Sequence, residues 1–224
     1  FNQILEKAIK EGVKKVIYSS SGSVYGVKTE PKVTEDLELV PISAYNKTKM
    51  VAERLVLSYS DNFNVQIVRP ATVCGLSPRM RLDVAVNLLT AQAYKNGLMT
   101  VLGGSQVRPN IHIEDITDLY LFFVENPELT GIYNAGFENI SILELGKKIQ
   151  EIISCDIEIK QSNDPRSYRQ SSEKLLKTGF KQKFFVNDAI KQIKALYEEN
   201  KLIVDDSCYT VKWMKEKILN AKRN

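Results

Sequence analysis

The chain has 224 residues, of which 43% are hydrophobic and 26% charged, as expected for a soluble globular protein of one large or two small domains. This composition excludes disorder as a description of the whole chain, and no apolar run approaches the roughly 18–20 residues of a membrane span. The formal net charge is only +4 and is spread along the chain, so neither nucleic acid nor membrane is expected as a partner.

The three cysteines, Cys74, Cys155 and Cys208, lie far apart and form no CxxC pair. An odd number at these spacings argues against a disulfide scaffold and against a zinc site, so no metal is expected. The pattern favours a reducing, cytoplasmic compartment. The chain opens at Phe1 inside what reads as an amphipathic helix, with no signal peptide. We therefore expect a preceding segment that has been cut away or is not included.

The first part of the chain alternates between helical and strand patterns. The predicted elements are a helix over 1–10, a strand over 16–18, a polar loop over 22–41, a helix over 44–60 and a strand over 64–68. Gly12 ends the first helix, and Ser43 is a cap for the second. Helices and strands that alternate with short connections predict parallel strands, here the second half of a doubly wound α/β sheet.

The remainder of the chain is less regular. Its predicted elements are helices over 84–96, 113–125, 142–153 and 187–199, and strands over 99–102 and 131–135. After residue 205 the sequence predicts an amphipathic extension that covers the smaller lobe or contacts a partner. No internal repeat or long linker separates the two lobes, so we expect them to be interleaved.

Three polar features coincide with these elements. Ser19, Ser20 and Ser21 follow the first strand, while Tyr45 and Lys49 lie four residues apart on the next helix and so share one face. Ligands of open α/β sheets bind at the carboxyl ends of the strands. A phenol with a pKa near 10 is a poor base at neutral pH, and a nearby ammonium favours its ionised form. The pattern predicts proton removal from a substrate hydroxyl, which is half of a hydride transfer.

Further motifs follow in a recognisable order. They are Val24-Tyr25-Gly26 after the serines, Arg69-Pro70-Ala71-Thr72-Val73-Cys74-Gly75, Val107-Arg108 with Ile111-His112-Ile113 and Asp115, and Tyr133-Asn134-Ala135-Gly136. With the Tyr45/Lys49 pair, these motifs make residues 1 to about 204 resemble the C-terminal two-thirds of an extended short-chain dehydrogenase/reductase. The resemblance is to the nucleotide-sugar epimerase/dehydratase group, of the UDP-glucose 4-epimerase type.

The resemblance implies a Rossmann-type doubly wound parallel sheet with a smaller α/β substrate-binding lobe. Residues 1–75 and about 112–140 would form the partial NAD(P)-binding domain, residues 76–111 and 141–204 the nucleotide-sugar lobe, and residues 205–224 a helical extension. It also implies NAD, with NADP less expected, a nucleoside-diphosphate sugar as substrate, and a homodimer formed through the helix that bears Tyr45.

The resemblance assigns roles residue by residue. Tyr45 would be the general base, Lys49 its electrostatic partner, and Ser21 the group that holds the reacting hydroxyl. The implied cofactor contacts are Ser19, Tyr45, Lys49 and Pro70, and the implied substrate contacts are Ser21, Thr72, Asn87, Arg108 and Arg166. An arginine fork suits a diphosphate, although a surface salt bridge is the alternative for both arginines.

Departures from the family pattern reduce the number of reactions that the resemblance implies. Gly22 and Ser23 stand where dehydratases carry an Asp-Glu pair, so 4,6-dehydration is not expected. This leaves 4-epimerisation through a 4-keto sugar, with a 4-dehydrogenase or 4-ketoreductase of surface-polysaccharide synthesis as the alternative. A truncated, non-catalytic chain or scaffold is the second alternative. The basic stretch 77–81 is either a phosphate contact or a solvated loop, and His112 is expected to be structural.

The Gly-rich turn that places the cofactor pyrophosphate in this family is absent from the sequence, together with the acidic ribose-binding residue. We therefore expect this chain alone to bind NAD weakly or not at all, and the strand over 16–18 to lie at an unpaired sheet edge.

Overall fold

The computed structural model describes residues 1–164 and 167–221. The helices are α1 (Asn2–Lys10), α2 (Ala44–Leu57), α3 (Ala85–Asn96), α4 (Ile113–Glu125), α5 (Ile142–Gln150), α6 (Glu173–Leu176), α7 (Val186–Glu198) and α8 (Thr210–Ala221). The strands are β1 (Lys15–Ser19), β2 (Asn64–Pro70), β3 (Thr72–Cys74), β4 (Leu98–Leu102), β5 (Val107–His112), β6 (Gly131–Ala135), β7 (Glu138–Ser141) and β8 (Asp156–Lys160). Short 3-10 turns cover Gly22–Tyr25 and Asp206–Cys208.

The first sheet is parallel throughout and has the strand order β1-β2-β6. Alternate side chains of its strands enter two separate cores. Val16 and Tyr18 pack with α1 and α2, whereas Ile17 and Val68 pack with α4. Helices therefore cover both faces, as parallel sheets require, and the predicted doubly wound arrangement is confirmed. Within the described residues β1 pairs only with β2, which leaves it at the sheet edge.

Two smaller sheets form the rest of the molecule. In one, β3 runs parallel to β5, and β7 pairs antiparallel with β5; in the other, β4 runs parallel to β8. A third core lies between α3, α5, α7 and the β4 strand and includes Leu89, Met99, Leu145 and Ile190. The amphipathic helices predicted in this region therefore bury their apolar stripes against one another.

Helix ends follow their predicted signals. The Ser43 hydroxyl accepts a hydrogen bond from Asn46 N, which confirms the cap of α2. Gly97 ends α3 in the left-handed conformation that favours glycine. The strand predicted over 64–68 continues through Pro70, and the predicted loop over 22–41 contains the first 3-10 turn and a bridge from Val33 to Gln170.

The helix predicted over 44–60 ends at Leu57, and the one predicted over 142–153 ends at Gln150. The extension predicted after residue 205 forms the second 3-10 turn and α8. Among the described residues, no helix has both the length and the apolar character needed to cross a membrane. In the same part of the chain, no group of three or more His, Cys, Asp or Glu side chains could hold a metal ion.

Candidate active site

Lys49 connects α2 to the carboxyl end of β1. Its ammonium donates a 2.7 Å hydrogen bond to the Ser19 carbonyl, and its Nζ lies 5.8 Å from the centre of the Tyr45 ring and 5.3 Å from that of Tyr18. Partial burial lowers the pKa of Lys49 from its ordinary value. The predicted Tyr/Lys pair is therefore brought together, and Ser19 fixes the position of its cation.

Tyr45 occupies the first turn of α2, directly after the Ser43 cap, and is 56% exposed. Its backbone is held because the Thr48 hydroxyl donates to the Tyr45 carbonyl at 2.8 Å. An exposed phenol on a capped helix end, with a cation beside its ring, is accessible to a ligand and held in place by the helix.

Ser21 is held by a chain of polar contacts that ends on α2. The hydroxyls of Ser21 and Ser23 are 2.7 Å apart, and Ser21 is the donor because Ser23 gives its only hydroxyl proton to Asn46. Ser21 Oγ also accepts from Ser23 N at 3.2 Å, and Ser23 Oγ donates to buried Asn46 Oδ1 at 2.8 Å. Asn46 is the neighbour of Tyr45, so this chain fixes Ser21 relative to the helix that carries the predicted base. The sequence argument missed the roles of Ser23 and Asn46.

A cleft of about 320 Å³ lies beside this group, between the ends of β1 and β2, β3 and α4. Its lining residues are Ser19, Pro70, Val73, Cys74, Gly75, Ser77, Arg79, Arg81, Asn87, Ile113, Ile116 and Tyr120. The Tyr120 hydroxyl donates to Ser19 Oγ at 2.7 Å and joins α4 to the strand end. Ser19, Pro70 and Asn87, predicted as ligand contacts, therefore share one cleft.

Asn87 is buried and its amide contacts the backbone on both sides of a loop. Its Oδ1 accepts from Gly75 N at 3.0 Å, and its Nδ2 donates to the carbonyls of Gly75 and Arg81. Asn87 thus holds the loop over 75–81 at the cleft wall. The predicted contact of Asn87 with substrate stays a prediction.

Of the other predicted substrate contacts, Thr72 and Arg108 are not among the residues that line the cleft. Thr72 lies on β3 and pairs with Asn110 of β5. Arg108 lies on β5 and its Nη2 forms an ion pair with Asp164 at 2.8 Å. Arg166 lies outside the described residues. The roles proposed for these residues are not tested by the geometry.

Cys74 also lines the cleft, but its thiol is not poised for nucleophilic chemistry. Burial raises the pKa of Cys74 to about 12, and the Sγ donates to the Ile111 carbonyl at 3.5 Å. A thiol that stays protonated at neutral pH is a poor nucleophile.

Three family-motif residues that carry no predicted chemistry form a buried network. Arg69 binds Glu53 through both carboxylate oxygens at 3.0 and 2.7 Å and donates to the Tyr25 hydroxyl at 2.7 Å. Tyr25 in turn donates to Asn134 Oδ1 at 2.8 Å, and burial raises its pKa to about 12. The network ties the loop after β1, helix α2 and strands β2 and β6 together beneath the site. The sequence pointed to this network only indirectly, because Tyr25, Arg69 and Asn134 each lie in one of the motifs that resemble the family.

Gly22 lies against Gln170, and this contact limits what can occupy the position. A Cβ at Gly22 would lie 2.6 Å from Gln170 Oε1, while Gln170 Nε2 is held by the Arg69 carbonyl. The position where the family's dehydratases carry an acidic side chain is therefore filled by a neighbouring amide in this structure.

His112 is structural, as predicted. Its Nδ1 accepts from Glu114 N at 3.2 Å and caps α4. Nδ1 is therefore unprotonated, so Nε2 carries the proton and donates to Gln192 Oε1 at 3.0 Å. Both ring nitrogens are used to join α4 to α7.

Comparisons with known proteins identify the family of the chain. A family model described as NAD dependent epimerase/dehydratase family matches residues 1–136. An uncharacterized UDP-glucose epimerase, YtcB, of Bacillus subtilis is 32% identical over 155 residues, which are 67% of this chain and 48% of that protein. The UDP-glucose 4-epimerase of Lactobacillus helveticus is 27% identical and is matched over 76% of this chain and 59% of its own length.

A solved structure of UDP-glucuronic acid 4-epimerase from Bacillus cereus, in complex with UDP-glucuronic acid and NAD, superposes with a TM-score of 0.76 at 28% identity. The match covers 88% of this chain and 66% of that one. A dTDP-glucose 4,6-dehydratase from Bacillus anthracis, at 22% identity and a TM-score of 0.77, shares the fold. The chain spans about half the length of curated relatives that it matches. It belongs to the NAD-dependent epimerase/dehydratase family.

Proposed function

We propose that this protein is an NAD-dependent nucleotide-sugar 4-epimerase acting on a UDP-hexose, with Tyr45 as the general base. The observation that carries the proposal is the contact of Lys49 with the Ser19 carbonyl, which holds an ammonium beside the exposed Tyr45 ring at the carboxyl end of β1. Relatives named as UDP-sugar 4-epimerases support the substrate class.

The residues around the cleft fit a nicotinamide cofactor. Ser19 and Pro70 line a cleft with apolar walls from Val73, Ile113 and Ile116, and the Lys49 ammonium, bound to the Ser19 carbonyl, has further N–H donors for a ribose. We assign cofactor contacts to Ser19, Tyr45, Lys49 and Pro70. When bound, NAD would accept and return a hydride at C4 of the sugar. The Bacillus cereus relative contains NAD, which supports NAD over NADP.

In this proposal the protein's own groups handle the proton. Ser21, fixed by Ser23 and Asn46, hydrogen-bonds the 4-hydroxyl and orients it. The Lys49 ammonium stabilises the phenolate form of Tyr45, which removes the hydroxyl proton and becomes a neutral phenol. The 4-keto sugar then turns within the pocket, and Tyr45 returns the proton when the opposite face is reduced. No net oxidation results.

Two further assignments complete the site. The first sheet, with α1, α2 and α4, forms the cofactor side, and the remainder forms the nucleotide-sugar side, where Thr72, Asn87, Arg108 and Arg166 contact the substrate. The close packing of Gly22 against Gln170 supports epimerisation over dehydration, because the first side chain of the acidic pair would collide with Gln170 Oε1.

The test is an incubation of the protein with UDP-glucose, UDP-galactose and UDP-glucuronic acid, with and without NAD. A product of unchanged mass and inverted C4 configuration is expected. A product that has lost two hydrogens while reduced cofactor accumulates would instead establish a 4-dehydrogenase. Because the chain lacks the Gly-rich turn and is expected to bind NAD weakly, calorimetry first establishes an NAD concentration that saturates the protein. Failure to convert any of the three sugars at that concentration would favour the non-catalytic alternative.

Substitution separates a catalytic Tyr45 from a structural one. Tyr45→Phe should lower the rate constant of epimerisation by about 10²–10⁴-fold, the usual contribution of a general base, and leave binding of the nucleotide sugar unchanged. Tyr59→Phe is the matched control, because the Tyr59 hydroxyl only contacts Asn2 at the surface. Full activity in Tyr45→Phe would refute its assignment as the base.

We further propose that the protein is a homodimer that associates through the outer face of α2. Val51 on this helix is 58% exposed, and Ile4 of α1, on the same side of the sheet, is exposed as well. Apolar side chains on an outer helix face suit a two-fold interface.

A further inference from the structure

The basic loop and the C-terminal extension, which the sequence treats as separate features, meet at the cleft. The loop segment 79–82 alternates in burial: Arg79 and Arg81 are exposed and line the cleft, while Met80 and Leu82 point the other way and are buried. Alternation of this kind is the consequence of extended backbone. One face of the segment is therefore cationic and the opposite face is apolar.

The apolar face is covered by the C-terminal segment, residues 201–213, which we call the strap. Met80 and Leu82 share a core with Cys208, and with Leu202, Val204 and Tyr209 at its edge. Leu82 N donates to the Cys208 carbonyl at 2.8 Å. The strap is itself ordered by Asp205, whose Oδ1 accepts from Ser207 N at 2.8 Å and begins the 3-10 turn.

Arg79 is the side chain that reaches from the cleft to the strap. Its Nη2 donates to the Ser207 carbonyl at 2.8 Å and to Thr210 Oγ1 at 3.2 Å, and its guanidinium carbon lies 5.3 Å from the centre of the Trp213 ring. Both hydrogen bonds engage one nitrogen of a group that carries five N–H donors in a planar fork.

The cleft favours an anion. Arg79 and Arg81 are among its lining residues, and the described lining residues include no Asp or Glu. Arg81 Nε is paired with Asp83 at 2.9 Å, which reduces its net charge. The hydrogen bonds of Arg79 to the strap are to neutral groups, and the Asp205 carboxylate interacts with Arg79 only through space. Arg79 is thus the stronger cation of the two for a ligand phosphate.

We propose that Arg79 binds the diphosphate of the nucleotide sugar while it anchors the strap, so that ligand binding and docking of the strap stabilise each other. The proposal rests on the proposed function for the identity of the ligand. In it, Arg79 is a binding residue and Trp213 a positioning residue that orients the guanidinium through its ring. Coupling of this kind is reciprocal: a strap that docks less well lowers the affinity for the diphosphate.

Trp213 is the single tryptophan of the chain, so its fluorescence reports on the strap directly. The experiment titrates the full chain with UDP and follows both calorimetry and tryptophan emission. Tryptophan emission should change with UDP concentration until it saturates, and its midpoint should equal the Kd measured by calorimetry. Hydrogen exchange in peptides covering 201–213 should slow in the presence of UDP, which provides a readout independent of fluorescence.

Three variants make the test specific. Arg79→Met should raise the Kd of UDP about tenfold, the loss of one charge-assisted contact, and Trp213→Leu about threefold, with Trp213→Phe restoring the affinity. Lys217→Met is the matched control. Lys217 lies over the same Trp213 ring at 5.7 Å but is not among the residues that line the cleft. The Kd of Lys217→Met for UDP should therefore equal that of the wild type.

The outcomes separate this proposal from the proposed function. Two results would overturn the proposal and leave the proposed function intact. One is that UDP binds but Arg79→Met has the same Kd as the wild type. The other is that UDP binds but hydrogen exchange in the strap does not change. Absence of UDP binding, with no conversion of UDP-sugars, would overturn both.

Discussion

Arg69 and Glu53 form an ion pair inside the protein, and their energetic role differs from that of the ion pairs at its surface. Each side chain is 3% exposed, and Arg69 also donates to Tyr25 and to the Glu35 carbonyl. A buried guanidinium that loses its carboxylate keeps its desolvation cost without compensation. The network therefore stabilises the fold only as long as it is complete.

Glu53→Gln should consequently lower the free energy of unfolding by about 3 kcal/mol, the usual cost of breaking a buried pair from one side. Glu11→Gln is the control, because the Lys7–Glu11 pair is exposed and such pairs contribute about 0.5 kcal/mol or less. Urea unfolding of both variants measures the difference. Equal effects would show that burial does not set the contribution of the Arg69–Glu53 pair.

The contact of Gly22 with Gln170 leads to a second prediction for single residues. Gly22→Ala places a Cβ 2.6 Å from Gln170 Oε1 and should cost about 1–3 kcal/mol of stability through overpacking. The double variant Gly22→Ala/Gln170→Ala should lose less free energy of unfolding than the sum of the two single variants, because Gln170 Oε1, the atom that collides with the new Cβ, is removed. Unfolding free energies from a double-mutant cycle measure the coupling, and additive effects would contradict the assigned contact.

Gly146→Ala serves as the control for this cycle. Its added Cβ would meet the flexible end of Ile157 at 3.2 Å and Val101 Cγ2 at 3.4 Å, and alanine is favoured over glycine within a helix by about 1 kcal/mol. Its stability should therefore change little or rise.

At the scale of elements, the sequence predicts those segments whose burial follows a simple period. Helices α3 and α7 and strands β1 and β6 were predicted because apolar spacing and end signals agree. Strand β7 was missed because its sequence is polar, and β8 because it was too exposed for a buried-strand pattern. Strand β5 contains Pro109, which reads as a strand breaker, yet β5 pairs with β7 through residues 107–110. Strands β5, β7 and β8 are stabilised by pairing with strands distant in the chain, and a local sequence pattern does not reveal such pairing.

The same distinction applies to the candidate site. Helical spacing alone places Tyr45 beside Lys49, and the structure confirms their proximity. Spacing could not reveal that Ser19 contributes its carbonyl, or that Asn46 connects Ser21 to α2. Such contacts join residues separated by 23 or 30 positions along the chain and depend on how α2 packs against the end of β1.

Helix α4 carries a buried carboxyl whose titration should be visible in stability. Asp115 is fully buried and accepts from Lys183 N at 2.9 Å and Phe184 N at 3.1 Å. Burial raises its pKa above the ordinary value of 3.8, against the lowering effect of these hydrogen bonds. The folded state therefore holds the proton more tightly than the unfolded state, so stability falls as pH rises from 3.8 through the raised pKa.

Asp115→Asn, which cannot titrate, isolates this effect. The difference in unfolding free energy, wild type minus variant, should decrease as pH rises through that window and become constant above it. Denaturant unfolding at a series of pH values measures the difference. A difference that grows with pH would show that the two backbone hydrogen bonds outweigh burial and that the pKa is lowered.

At the scale of the whole molecule, the cleft lies where the first sheet meets the sheet of β3, β5 and β7. Pro70 and Thr72 belong to consecutive strands of these two sheets, and α4 packs on the first sheet while it follows β5 directly. The chain crosses between the two parts several times. The cleft geometry therefore depends on both parts at once.

The two faces of the first sheet make the proposed dimer testable with matched variants. Val51 on α2 and Val124 on α4 are 58% and 62% exposed, and their helices cover opposite faces. In a two-fold interface a residue near the axis meets its own copy, so Val51→Glu would bring like charges together and desolvate them. Sedimentation velocity at micromolar concentration should show a dimer for the wild type and for Val124→Glu, and a monomer for Val51→Glu. Dissociation by Val124→Glu alone would assign the interface to α4 instead, and a monomeric wild type would rule out the dimer.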